Sequence, residues 1–167
     1  LKSAYKRHAS YPEGNFVPET YSIPNVIDEE ALILHLLKES DKRMQEWAKS
    51  YNIPYTKEKW LPIVTKASVI QKEASSVTDM PFVSSVIDNR IKIGMRLQMD
   101  GTLNYGEYSH QKVTARRIRT DTTPYNTYKN KGLPPYPVCN VSKEAVAAAI
   151  EPARTDYLYF VRGKDGE

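Results

Sequence analysis

The residue best placed to do chemistry is Glu73, in the stretch Ala67-Ser68-Val69-Ile70-Gln71-Lys72-Glu73-Ala74-Ser75. It falls on an amphipathic helical pattern, beside the apolar face and not opposite it. A carboxylate at that margin is costly to keep ionised without a partner, and this is how a general acid is often housed. The flank of Ile70 and Ala74 is expected to favour its protonated form. The polar block Arg96-Leu97-Gln98-Met99-Asp100-Gly101-Thr102 follows and could supply partners. Gln98 and Asp100 stand two apart, so on a strand they share one side. They could orient Glu73 or bind hydroxyl groups, and an ionised Asp100 nearby would further disfavour charge on Glu73. The competing readings are a solvated Glu73 paired with Lys66 or Lys72, and a water-facing Gln98/Asp100 pair.

Other chemistries lack their residues. The lone Cys139 excludes an internal disulfide and any multi-cysteine metal site. His8, His35 and His110 lie far apart with no His-Glu-x-x-His pair, which argues against a zinc enzyme. No serine-nucleophile elbow, phosphate loop or dinucleotide fingerprint is present. No metal and no cofactor is therefore expected. Twelve Tyr against 3 Phe and 2 Trp give mostly hydroxylated rings. Such rings suit a wet groove that stacks on a polar ring-shaped ligand, though they also serve as ordinary packing.

The elements that must position these residues read as α+β, a helix-rich single domain over residues 1–167 with a small β-sheet and long Pro/Gly-punctuated loops. Residues 1–25 hold Pro12, Pro18, Pro24 and Gly14 and read as an extended or looped lead-in. Asp28 caps a helix with the stripe Ile33, Leu37, Met44, Trp47, ending near residues 50–52. A second helix spans roughly 60–75 through Trp60, Ile63, Ala67, Ile70 and Ala74, with Pro62 tolerable only in its first turn. Thr78 or Asp79 begins a third, stopped by Gly94. Residues 96–106 read as strand and turn. Ser142 caps a short Ala-rich helix that Pro152 ends, and Tyr157-Leu158-Tyr159-Phe160-Val161 reads as a strand by composition.

The net charge of +4 favours an anionic partner without choosing one. Lys112, Arg116, Arg117 and Arg119 form the one basic cluster; such a run is usually a solvated face. With no recognised nucleic-acid motif, nucleic acid is not an expected partner. No apolar run approaches the ~20 residues that span a bilayer. The chain starts without Met, which suggests a piece of a longer protein.

Taken together, six segments resemble the endolytic murein transglycosylase family, the YceG-like lytic transglycosylases of bacterial cell walls. They are Glu13-Gly14-Asn15-Phe16-Val17-Pro18-Glu19-Thr20-Tyr21, Ala67 to Glu73, Asn89-Arg90 with Gly94-Met95-Arg96-Leu97-Gln98, Tyr125-Asn126-Thr127-Tyr128, Gly132-Leu133-Pro134-Pro135, and Pro152-Ala153-x-Thr155-x-Tyr157-Leu158-Tyr159-Phe160-Val161. They occur in family order. Gln71 stands where the family usually has the first of two glutamates, leaving Glu73 as the acid. Met99-Asp100-Gly101 replaces the common Thr-Asp-Pro.

The resemblance implies an enzyme, a carbon-oxygen lyase (EC 4.2.2.-) that cleaves MurNAc-β-1,4-GlcNAc bonds within peptidoglycan glycan strands. It leaves 1,6-anhydro-MurNAc ends, with Glu73 as acid and then base. It implies Tyr125, Asn126, Tyr128, Leu133 and Pro134 along a substrate groove with Gln98 and Asp100, Asn126 binding an N-acetyl group. Asn89 and Arg90 are expected to hold the third helix to neighbouring loops. A parent anchored in the inner membrane is implied, its catalytic domain periplasmic beside peptidoglycan synthases. The membrane helix, a LysM-like subdomain and the extreme C-terminus would lie outside these residues. The alternative is a non-catalytic peptidoglycan-binding or scaffold domain of the synthesis machinery.

Overall fold

The computed structural model describes residues 1–25, 27–109 and 111–161. His110 and the closing residues 162–167 lie outside the described residues. The chain runs α1 (Lys2–His8), α2 (Glu29–Ser50), α3 (Lys57–Glu73), α4 (Met80–Lys92), two 3-10 turns (Asp100–Thr102 and Gly106–Tyr108), α5 (Ala115–Thr120) and α6 (Lys143–Ile150).

The small sheet expected from the sequence is not there: the described residues contain helices, 3-10 turns and irregular chain, and no strand. The fold class is therefore helical and not α+β. Both strand assignments fail for one reason, the lack of a strand to pair with. At 157–161 the hydrogen-bonding role of a neighbouring strand is taken by α4 side chains. Asn89 donates to the carbonyls of Thr155 and Tyr157 at 2.9 Å each, and Arg90 Nε donates to that of Leu158 at 2.7 Å. At 96–99 the run is broken by Gln98, whose φ of 50° is left-handed, and by the 3-10 turn that begins at Asp100.

α3 is the central element. Val64, Thr65, Lys66, Ala67, Ser68, Val69 and Ile70 are all buried, so this helix is covered nearly all round. α6 packs along it most extensively, α4 packs on both, and the 100–102 turn meets its C-terminal end. The Ala-rich face of α6 (Ala145, Ala148, Ala149) permits that close approach. Fully burying side chains such as Ile70, Ile87 and Val86 contributes about 1.5–3 kcal/mol each.

The helix signals mostly held. Asp28 and Ser142 accept from the N–H groups of Ala31 and Ala145 as N-caps, and Gly94 ends the α4 region with φ 69°. Two differ. α3 starts at Lys57, so Pro62 lies in its second turn, on an exposed face where water can serve the carbonyl it cannot reach. The lead-in opens with helix α1, tied to the start of α2 by Leu1 N to Glu29 (2.8 Å) and by Arg7 and His8 to Glu30 (3.0 and 2.7 Å). Among the described residues no helix is long and apolar enough to cross a membrane.

Candidate active site at the C-terminal end of α3

Glu73 is the last residue of α3 and is half-buried. Its Oε1 accepts the backbone N–H of Gly101 at 2.6 Å. The 100–102 turn can come this close because residue 101 has no side chain. A Cβ there would lie 2.6 Å from Lys72 Cβ and 2.8 Å from Glu73 Oε1. Here the glycine supplies space, since none of the left-handed φ values falls at this position.

Lys66, offered by the sequence as a partner for Glu73, turns the other way. It pairs with Asp88 at 2.7 Å and donates to the Ala149 carbonyl at 3.1 Å. Burial pulls its ammonium below the usual lysine range, against the pull of Asp88. Lys72 donates to Ser109 Oγ at 3.1 Å. Gln71 accepts from the Ser142 N–H at 3.0 Å, which ties α3 to the start of α6.

Of the remaining sequence candidates, Asp100 and Tyr128 are brought to Glu73. The Tyr128 hydroxyl donates to Asp100 Oδ1 at 2.7 Å, and Asp100 adjoins the glycine that holds Glu73. Burial first, then the Asp100 bond and the charges of Asp100 and Glu73, push the Tyr128 phenol well above its ordinary value. It therefore remains a neutral donor.

Gln98 is exposed and its N–H donates to the Thr127 carbonyl at 3.1 Å. With no strand, the shared-side argument for Gln98 and Asp100 lapses. Tyr125 stacks on Tyr105 with centroids 4.1 Å apart, and burial pushes its phenol up to about 12. Asn126 is 0% exposed. Its amide donates to the carbonyls of Ile118 and Asp121 at 2.9 Å each and accepts from Tyr128 N at 3.1 Å. Its groups serve the loop that presents Tyr128. Leu133 is partly buried against the core, and Pro134 is buried.

The open cleft beside Glu73 has a different wall from the one the sequence suggested. A hollow of about 280 Å³ is lined by Glu73, Ala74, Phe82, Tyr157, Tyr159 and Phe160, among others. Phe82 is 50% exposed and Tyr159 68%. Arg90 sets this wall. It donates to the carbonyls of Leu158 and Leu97, and its guanidinium lies 5.2 Å from the Tyr159 ring centroid. Asn89 and Arg90 thus hold α4 to its neighbours, as the sequence led us to expect. Of the cleft aromatics, Tyr157, Tyr159 and Phe160 read in the sequence as a strand and so not as site residues, while Phe82 lies on α4 outside its apolar stripe. A row of large rings with no partner strand was the available signal.

Glu13 is a second acid missed at the residue level. It is half-buried, accepts from Gly106 N–H at 2.6 Å, and burial raises its carboxyl above the usual range, opposed by that hydrogen bond and by Lys72. The lone thiol, Cys139, is pushed up to about 12 by burial, so it offers no thiolate at neutral pH. In the basic cluster, Arg117 is internal to the structure, stacked over Tyr108 at 4.0 Å and donating to the Leu103 carbonyl, whereas Lys112, Arg116 and Arg119 are exposed.

Residues 2–167 match the YceG-like family. The chain is 34% identical over 167 residues to an endolytic murein transglycosylase of Bacillus subtilis, covering 98% of this chain and 45% of that protein. It is 33% identical over 157 residues to one of Streptococcus pneumoniae, covering 89% of this chain and 28% of that protein. A crystal structure of a putative YceG-like protein from Listeria monocytogenes superposes with a TM-score of 0.76 at 33% identity, over 90% of this chain and 49% of that one. The chain thus spans under half the length of these relatives.

Proposed function

The chain belongs to the YceG-like family, and from that premise we propose that it carries the catalytic part of an endolytic peptidoglycan lytic transglycosylase. The substrate is the glycan strand, cut at MurNAc-β-1,4-GlcNAc bonds to leave 1,6-anhydro-MurNAc ends. The relatives named endolytic murein transglycosylase support the reaction class. The observation that carries the residue assignment is Glu73: a half-buried carboxyl fixed by the Gly101 N–H on the wall of an open aromatic cleft.

In this reading the protonated Glu73 gives its proton to the bridging oxygen as the glycosidic bond breaks. The resulting carboxylate then takes the proton of the C6 hydroxyl while that oxygen closes onto the anomeric carbon. Water takes no part, so one carboxyl suffices where a hydrolysing glycosidase uses two. Influences of opposite sign act on charge at this carboxyl. The negative end of the α3 dipole disfavours the anion, and the Gly101 N–H and the charge of Arg90 favour it. A group that must both give and take a proton is served by such a balance. Phe82, Tyr157, Tyr159 and Phe160 offer faces for sugar rings, and Tyr128 with Asp100 stiffens the turn that holds the acid.

Glu73→Gln tests the assignment. Glutamine keeps an acceptor for the Gly101 N–H, so the melting temperature should barely move while anhydro-ended muropeptides vanish from digests of purified peptidoglycan. Retained cleavage would remove Glu73 from the mechanism. A non-catalytic scaffold domain instead predicts tight binding to peptidoglycan and no anhydro ends from the unsubstituted protein. Action on peptidoglycan would put the domain outside the cytoplasm, and that location is part of the same proposal. A membrane anchor and partnership with synthases belong to the same proposal and concern parts beyond this chain.

A further inference from the structure

At the opposite end of α3 from Glu73 lies a second polar-aromatic hollow that the mechanism does not use. It measures about 390 Å³ and is walled by Ser10 and Tyr11 from the segment after α1, Asp41 of α2, and Tyr55, Lys57 and Trp60 around the start of α3. A neighbouring hollow of about 370 Å³ adjoins it through the shared residues Ser10, Tyr11, Asp41 and Tyr55.

Trp60 is 1% exposed, and its buried indole N–H has no acceptor among the described residues. An indole N–H can only donate, and leaving it buried and unpaired is costly. The rest of the wall has matching polarity. Tyr55 tilts against the Trp60 ring at 5.6 Å, and its hydroxyl donates to Asp41 Oδ1 at 2.6 Å. Gln45 holds the other Asp41 oxygen at 2.8 Å, so the carboxylate is fixed in place as an acceptor. The ligand chemistry this asks for is hydroxyls for Asp41, a ring with a weakly polar face for the tyrosines, and a carbonyl oxygen for the indole once binding opens a path to its closed N–H. An N-acetylated sugar has all three.

Residues 60 and 73 are separated by about 20 Å along the α3 axis at 1.5 Å per residue, too far for one sugar to touch both. Two aromatic pairs lie in the segments between these regions: Tyr11 is 6.3 Å from Tyr136, and Tyr125 stacks on Tyr105 beside the loop that Glu13 holds. Building on the transglycosylase reading, we propose that the Tyr11–Asp41–Tyr55–Trp60 hollow is a remote subsite. It would bind an N-acetylated sugar of the same strand several rings away from the bond at Glu73. Such a grip would favour cutting within long strands over trimming their ends, because only a long strand fills both places.

The test uses the Glu73→Gln chain labelled with 15N at its two tryptophans, Trp47 and Trp60, titrated with an N-acetylglucosamine hexamer. The Trp60 indole signal is identified by its loss in Trp60→Phe. It should shift as the hexamer binds, and Tyr11→Ala should weaken hexamer binding about fivefold to tenfold, the worth of one aromatic contact. The disaccharide, too short to span both places, should lose far less. A Trp60 signal unmoved at saturating hexamer overturns the proposal, as does a shift produced by a free stem peptide and not by the hexamer. Should Trp60→Phe fail to fold, the Tyr11→Ala comparison of hexamer with disaccharide decides alone. Failure of the reaction assignment looks different: no anhydro-ended products from the unsubstituted chain, with the hexamer shift at Trp60 intact.

Discussion

Adding one methyl group at Gly101 should break the site without touching the acid. The Cβ of Gly101→Ala would sit 2.6 Å from Lys72 Cβ and 2.8 Å from Glu73 Oε1. Carbon atoms pack at about 3.5–4.0 Å, so the turn must retreat by about 1 Å. Lys72 cannot relieve the contact by changing rotamer, because its Cβ is fixed to the helix backbone. The retreat stretches the 2.6 Å bond from Gly101 N to Glu73, and a hydrogen bond to a charged group is worth about 1.5–3 kcal/mol. Overpacking a tight contact costs about 1–3 kcal/mol. For a chain of this size each kcal/mol lowers the melting temperature by about 2–4 °C, so the overpacking alone corresponds to a drop of about 2–12 °C, and the stretched hydrogen bond adds to it. An acid displaced by about 1 Å loses on the order of 100-fold in rate. The assay pairs thermal unfolding with mass spectrometry of peptidoglycan digests. Gly101→Ala protein with an unchanged melting temperature and full production of anhydro ends would refute the idea that this approach positions Glu73.

Other perturbations bear on the same frame. Tyr128→Phe removes the donor to Asp100; cleavage should slow about tenfold, for a hydrogen bond worth about 1.5 kcal/mol, with KM for glycan strands little changed. Asn126→Ala deletes two donors serving buried loop carbonyls and should lower stability by about 1–3 kcal/mol for each group left unsatisfied, read by denaturant unfolding; a selective rise in KM at unchanged stability would instead restore it as a sugar ligand. Arg90→Met orphans the Leu97 and Leu158 carbonyls and should speed hydrogen exchange across residues 155–161, the wall of the cleft. The Tyr125 phenol, held up to about 12 in the fold, sits above the unfolded value near 10. Protonated tyrosine is thus favoured by folding, and that stability is fully present below about pH 10 and lost as pH rises toward 12. Melting temperatures measured over that window should fall less steeply in Tyr125→Phe.

The helices were legible because their caps and periodicities are local. Asp28, Ser142, Gly94 and the three- and four-residue spacing along α2, α3 and α4 need nothing distant to be understood. The strand assignments failed because a strand is defined by its partner. Tyr157 to Val161 has the composition of one, yet its neighbour is a helix whose Asn89 and Arg90 side chains reach the chain's carbonyls. The place of Glu73 at the edge of a buried helix was legible. Its surroundings were not, because they arise from contacts 28 residues away in sequence (Glu73 with Gly101, Asp100 with Tyr128) and from loops whose course no period encodes. Asn126 shows the cost of reading a polar side chain in a Pro-rich loop as a ligand, since its amide is consumed by the loop itself.

Placing the acid at the end of α3 also explains why so much of the chain's packing converges there. A residue in the middle of this helix would be sealed by α4 and α6, as Val69 and Ile70 are. One beyond its end would have the freedom of a loop. The last helical residue escapes the seal while its backbone remains fixed by the hydrogen bond from Ala74 N to the Ile70 carbonyl. The core therefore acts on Glu73 indirectly: α6 and α4 hold α3, and the 100–102 turn, braced by the Tyr128 hydroxyl, holds the carboxyl. The cleft side is left to Phe82 and the 157–161 segment, which α4 holds through the side chains of Asn89 and Arg90. In the proposed reaction such a division leaves the acid fixed by the core and gives the glycan an open aromatic side from which to enter.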